Sequence, residues 1–130
     1  MPIQTIAHNP TDGVYAPVGA YAHALEVRNA GRLLFVAGTI GLDPEGVAGA
    51  TLDDQLRLIW SNIRTILASA GMTVDDIVRV TSYLRDAAYV QANGEARTRE
   101  LGGRLVPTTA IVARTLVDDW MVEIEVIAAA

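Results

Sequence analysis

Residues 51–85 read TLDDQLRLIWSNIRTILASAGMTVDDIVRVTSYLR, and within them the apolar spacing changes from that of a helix to that of a strand. Leu52, Leu56, Ile59, Ile63, Ile66 and Ala70 recur at three- and four-residue intervals, which predicts a helix from Thr51 to Ala70. Thr51 can cap its first turn, and Asp54, three residues on, can complete a capping box. Gly71 can end it in the left-handed conformation. Val78–Arg85 then alternates, with Val78, Val80, Ser82 and Leu84 opposing Arg79, Thr81, Tyr83 and Arg85, which predicts a strand.

Working outward, Gln4–Ala7 reads as a short strand and His8 to Tyr21 as a loop punctuated by Pro, Gly, Asn and Asp. His23 to Gly38, HALEVRNAGRLLFVAG, reads as a hairpin turning at Asn29-Ala30-Gly31, with Leu33–Ala37 apolar on both faces. On the other side, Asp86 to Leu101 reads as a helix. Asp86 caps it, Glu95 and Arg99 stand at the favourable i,i+4 spacing, and Gly102-Gly103 ends it. Gly94 inside it costs up to ~1 kcal/mol. Thr108–Leu116 and Met121–Ala128 read as strands joined by a segment containing VDDW.

The order is β-β-β-α-β-α-β-β, an α+β pattern, and 130 residues suit one domain over 1–130. Two helices can cover only one face of such a sheet. The opposite face draws on Leu33–Ala37 and the last two strands, many of whose residues are apolar, so oligomerisation through that face is expected. The composition agrees, with 51% hydrophobic residues and a mean hydropathy of +0.28.

Net charge is −5, with 10 Lys+Arg against 15 Asp+Glu. Nucleic-acid binders usually carry a basic footprint, so nucleic acid is a disfavoured partner. No run approaches the ~20 apolar residues of a membrane span. The start lacks the features of a signal peptide and there is no cysteine, so a cytoplasmic protein is expected.

The two histidines, His8 and His23, have no metal-ligand spacing, so no metal site is expected. GTIGLDPEG and GGRLVP lack the Gly-Lys-Ser/Thr ending of a P-loop. Asp75-Asp76 and Asp118-Asp119 sit where solvated turn residues are usual. That leaves MVEIEVIA, Met121 to Ala128, in which Glu123 and Glu125 point to one side of a strand. The side could be a wet face, the reading that spacing alone favours. Alternatively one glutamate faces a cleft, where partial burial suits it to proton transfer or to holding a water.

Four stretches together, PVGAYAHALEV, LLFVAGTIGLDPEG, NIRTILASAGMTVDDIVRVTSYLRD and MVEIEVIA, resemble the reactive-intermediate deaminase family, also called Rid or YjgF and formerly described as translation inhibitors or endoribonucleases. The match runs from about Tyr15 to Ala128 in the same order. The resemblance implies a chorismate-mutase-like mixed sheet backed by two helices on one face. It also implies a homotrimer with the sheets around a central barrel and a ligand cleft at each interface. Members hydrolyse enamines and imines such as 2-aminoacrylate without metal or organic cofactor, releasing ammonia and a 2-keto acid.

By the same resemblance, Glu123 matches the glutamate that holds or activates the water, and Glu125 a second acidic position read as structural. Tyr21 matches the tyrosine of a G-P-Y motif, with Ala20 in place of the proline. Gly38 matches the glycine of S-G-Q, whose backbone can meet the ligand, with Ala37 and Thr39 as its neighbours. Asn93 matches a helix asparagine.

One departure matters most. Active deaminases carry P-A-R-S, whose arginine holds the substrate carboxylate through a bidentate pair. Here residues 106–112 read VPTTAIV. Counting from Pro107 puts Thr109 at the arginine position; counting back from Glu123 puts Thr108 there. Losing that contact costs about 1.5–3 kcal/mol, or roughly ten- to a hundred-fold in binding. Arg114 lies roughly 20 Å along an extended strand from Thr108 and cannot reach the same spot. Arg104, in a loop, remains a stand-in.

The functional expectation is a hydrolase of a small imine or enamine that uses Glu123 and a water, with altered substrate anchoring. The alternative is a non-catalytic trimer that binds a small metabolite as a sensor or scaffold. RNA cleavage ranks third because of the acidic charge.

Overall fold

A computed structural model describes residues 1–130. In chain order the elements are β1 (Gln4–His8), β2 (Ala24–Arg28), β3 (Leu33–Ile40), α1 (Leu52–Ser69), β4 (Ile77–Leu84), α2 (Val90–Glu100), β5 (Thr108–Val112) and β6 (Val122–Ala129). Short 3₁₀ turns, Val74–Asp76 and Ala87–Tyr89, lead into β4 and α2. The expected α+β order and both helices are present.

Four strands form a mixed sheet in the order β3-β6-β4-β5. β6 is antiparallel to both β3 and β4, whereas β4 and β5 run parallel. A parallel pair needs a long crossover, and α2 supplies it. The last strand of the chain therefore lies at the centre of the sheet.

α1 begins where its sequence predicts. The Thr51 side chain accepts the Asp54 amide at 3.1 Å, and Gly71 has φ +68°. The Asp54 carboxylate does not close the box; it accepts from Arg57 at 3.2 Å. The complete capping box belongs instead to Thr73 and Asp76. The buried stripe is also rotated from the expected one. Trp60 and Leu67 are fully buried and Ile66 is 39% exposed, because the helix meets the core on the side of Trp60 and Leu67. The core joins Leu56, Ile59, Trp60, Ile63 and Leu67 of α1 to Val80, Val122, Ile124 and Val126 of the sheet.

The expected hairpin between Leu25–Arg28 and Leu33–Ala37 does not form. β2 pairs with β1 in a separate two-stranded sheet, and β3 pairs with β6. The amides of Gly31 and Arg32, at the turn, both donate to the Ala130 carbonyl at 2.9 Å. The turn thus extends the β3–β6 ladder rather than closing a β2–β3 one.

β5 stops at Val112 instead of Leu116. Beyond it, Arg85 donates to the Thr115 hydroxyl at 2.9 Å and to the Asp118 carboxylate at 3.1 Å, folding the chain away from the sheet. In α2, Glu95 accepts from Gln91 at 3.1 Å rather than pairing with Arg99. Gln55, buried on α1, holds the Gly49 and Asp119 carbonyls and accepts the Met121 amide, fixing where β6 starts.

Both helices lie on one face. Along β6, Val122, Ile124, Val126 and Ala128 are buried there, and Glu123, Glu125 and Ile127 alternate to the other. The opposite face carries Phe35, 70% exposed, with Leu33 and Ile111. No helix is long and apolar enough to cross a membrane.

Candidate functional site

Glu123 lies against the β3 backbone. The β3–β6 register shifts between Val36 and Thr39, so Ala37 and Gly38 together face one residue of β6. This is bulge geometry, a place where glycine is common. A Cβ built on Gly38 would stand 2.8 Å from Glu123 Cδ and 3.0 Å from Cγ, and closer still to Oε2. No side chain can occupy position 38 while the carboxylate stays there. Gly38 therefore has a role that the family match did not state: it makes room for Glu123.

The two glutamates of β6 differ in what they touch. The Tyr83 hydroxyl donates to Glu125 Oε1 at 2.6 Å. That bond raises the Tyr83 pKa above its ordinary 10.0, with desolvation and the negative charges of Glu125 and Glu123 adding to it and Arg79 opposing it. Glu125 is thus engaged within the chain. Glu123, half-buried, accepts no hydrogen bond and makes no ion pair in the chain, so its oxygens are free for a water or a ligand.

A second feature lies at the other end of the sheet. A cavity of about 880 Å³ opens between the Val18–Tyr21 loop, α2 and β5. Tyr21, Asn93, Thr108 and Thr109, four of the residues singled out by sequence, all line it. Tyr21 is held by the Val18 amide, which donates to its hydroxyl at 3.2 Å, and by edge-on packing against His23 with ring centres 6.0 Å apart. His23 itself bonds the Tyr15 carbonyl at 2.6 Å, and His8 bonds Glu26 at 2.8 Å; both histidines serve the fold. Thr109 accepts a hydrogen bond from Arg79 at 2.8 Å.

Asn93 is fully buried beneath this cavity, and neither its amide nitrogen nor its oxygen has a hydrogen-bond partner in the chain. A buried polar group left in that state costs about 1–3 kcal/mol. One helical turn on, Arg97 also lines the cavity. Its only hydrogen bond is a long one of 3.5 Å to the Ala20 carbonyl, and burial lowers its pKa. Sequence reasoning missed Arg97, although its i,i+4 spacing from Asn93 was available. Arg104 is spent elsewhere, donating to the carbonyls of Val74 at 2.9 Å and Ile77 at 3.1 Å. It caps the 3₁₀ turn before β4 and is not a stand-in for the absent arginine.

One chain does not bring all six candidates together. Gly38 and Glu123 sit on β3 and β6; Tyr21, Asn93, Thr108 and Thr109 sit beyond β4, around β5 and α2. Two inter-strand spacings, roughly 10 Å, separate β6 from β5.

The geometry can be set beside known proteins. The profile of the family described as endoribonuclease L-PSP matches residues 13–130. A RutC family protein of Pyrococcus horikoshii is 32% identical over 91% of this chain and 93% of its own length. A 2-iminobutanoate/2-iminopropanoate deaminase of Salmonella typhimurium is 29% identical over 91% of this chain and 93% of its own. The crystal structure of a protein of unknown function from the conserved Rid family of Yersinia pestis superposes with a TM-score of 0.79 at 25% identity, covering 97% of this chain and 98% of that one. The mixed sheet backed by two helices and the glutamate-bearing central strand are thus set in a chain that belongs to the endoribonuclease L-PSP family, the Rid/YjgF family.

Proposed function

We propose that this protein is a Rid-family hydrolase that converts a small imine or enamine to a carbonyl compound and ammonia, with Glu123 holding the attacking water. The observation that carries the reading is the Glu123 carboxylate, half-buried, without a partner in the chain, and pressed onto Gly38. An enamine first becomes the imine by tautomerisation, its carbon taking a proton and its nitrogen giving one up. Water then adds to the C=N carbon, its oxygen forming the new C–O bond while its proton passes to the carboxylate and the nitrogen gains a proton. The carbinolamine next loses ammonia: its nitrogen takes a further proton, returned by the carboxylate, the C–N bond breaks, and the hydroxyl gives up its proton as C=O forms. A carboxylate that can take and return a proton within hydrogen-bond reach of that water serves both steps.

The separation of the two groups of residues supports a cleft shared between copies. A homotrimer in which the Glu123 end of one chain meets the Tyr21 and Thr109 end of the next would assemble the site. The exposed Phe35, Leu33 and Ile111 give that face apolar surface to bury. A relative named as an iminobutanoate and iminopropanoate deaminase, 29% identical over most of the chain, adds weight to the imine class.

A second reading is a trimer that binds a small metabolite without turnover. It is favoured by the threonines at the position where active deaminases carry arginine. RNA cleavage is opposed by the net charge of −5.

Ammonia release from freshly generated 2-aminoacrylate and from a bulkier imine, in wild type and Glu123→Gln, tests the proposal. Turnover that depends on Glu123 is expected. Absence of turnover of both compounds would leave the binding reading.

A further inference from the structure

We infer that Arg97 of α2 is the anion anchor of this site, placing on a helix the charge that active deaminases carry on the strand, and that the ligand is a small carboxylate. The inference rests on the imine-hydrolase reading for its biological meaning but on three separate observations for its chemistry.

First, the cavity of about 880 Å³ is bounded by Tyr21, Asn93, Thr108 and Thr109, and Arg97 is among its walls. Second, Arg97 is half-buried yet has no carboxylate within ion-pair distance, and its one hydrogen bond is a 3.5 Å contact to the Ala20 carbonyl. The cavity's own acid, Glu95, accepts from Gln91 and makes no ion pair with it. A guanidinium taken partly out of water and given no counter-charge lacks the compensation that buried charges usually have. Third, the amide of Asn93, four residues earlier and on the same side of α2, is buried without a partner.

A planar fork of N–H donors suits one class of ligand best, the carboxylate, which can accept two parallel hydrogen bonds. Arg99, the other arginine lining the cavity, is exposed and keeps its charge hydrated, so it gains less from an anion than the half-buried Arg97. Arg104 holds the Val74 and Ile77 carbonyls. Arg79 donates to Thr109 on the sheet face turned away from the helices. Arg97 approaches the cavity from the helix side rather than from β5, so the bound carboxylate lies displaced toward α2 from where a strand arginine would hold it. The room beside Thr108 and Thr109 then admits a substituent larger than the methyl or ethyl group of the simplest 2-imino acids.

Calorimetric binding of 2-oxobutanoate, an unreactive product-like acid, to the intact protein tests this, with its neutral methyl ester as the comparison. Wild type is expected to bind the acid, and Arg97→Gln to bind it ten- to a hundred-fold more weakly. Arg97→Lys should recover part of the loss, and Arg57→Gln, on the exposed face of α1 and outside the cavity, should bind the acid as wild type does. The ester should bind wild type ten- to a hundred-fold more weakly than the acid does, a comparison that needs no variant. Equal affinity of wild type and Arg97→Gln for the acid, equal affinity of wild type for acid and ester, or no binding of the acid at all would overturn the inference. Intact binding with no imine turnover would sink the hydrolase reading alone. Turnover with an unchanged KM in Arg97→Gln would sink the anchor alone.

Discussion

Gly38 of β3 leaves vacant the volume into which Glu123 of β6 folds its carboxylate. Neither residue has this meaning alone: the glycine is required by the acid, and the acid keeps its place because the bulge offers bare backbone. Gly38→Ala should therefore behave as an active-site change. The carboxylate must swing away, and imine turnover should fall about a hundred-fold or more, toward the level of Glu123→Gln. Stability should fall by only about 1–3 kcal/mol, the usual cost of overpacking. Kinetics and urea unfolding of the same variant measure both.

The partner of Glu125 sets it apart from Glu123. Glu125→Gln should keep turnover within a few-fold of wild type, whereas Glu123→Gln should lose about a hundred- to ten-thousand-fold. Steady-state rates of the two variants, side by side, check this.

Tyr83 has a pKa raised mainly by its bond to Glu125. A group raised in the folded state contributes stability that is present below its unfolded pKa and is lost as pH rises through the folded one. Melting temperature should thus drop above about pH 10 in wild type, and Tyr83→Phe should show a smaller drop. Glu26 titrates in the opposite sense. Its pKa is lowered by hydrogen bonds from Arg28 and then His8, so the β1–β2 sheet should lose support as pH falls below the ordinary glutamate value of 4.5. Thermal melts across both ranges, with Glu26→Gln as the acid-side control, read out the two effects.

The stripe of α1 makes a prediction about stability alone. Trp60→Ala should cost about 3–5 kcal/mol, because the indole is fully enclosed. Ile66→Ala should cost less than about 1 kcal/mol, since that side chain is already partly in water. Chemical denaturation separates them.

Association through the open sheet face can be tested at Phe35. A carboxylate there would be desolvated in any face-to-face assembly, so Phe35→Asp should shift the species seen in analytical ultracentrifugation from trimer to monomer. A wild type that sediments as a monomer would remove the shared cleft from the proposal.

Much of this fold could be read from local chemistry. Thr51 and Gly71 mark the ends of α1 because caps are short-range. The alternation of β6 holds because Val122, Ile124, Val126 and Ala128 are all buried beneath the helices. Long-range pairing was less legible. Asn29-Ala30-Gly31 is sound hairpin chemistry, yet the partner it serves is Ala130, a residue about a hundred positions away. The site divided in the same manner. Tyr21, Asn93, Thr108 and Thr109 converge on one cavity, and the relation of Gly38 to Glu123 needed a bulge that no spacing rule announces. Arg97 escaped notice because a helical arginine is usually a solvated one; only the loop at Ala20 closing over it makes it otherwise.

The position of β6 bears on how the protein comes into being. β3 and β4 are not neighbours; each pairs with β6, which is translated after both. While a ribosome is still making the segment before Val122, these two strands expose unpaired edges and an uncovered apolar face, a state prone to aggregation. Folding of the four-stranded sheet must wait until β6 has been made, and a chain cut short before Val122 loses the middle of its sheet rather than its margin. The residue proposed to hold the water arrives on that same strand, so a chain that stops before β6 lacks it.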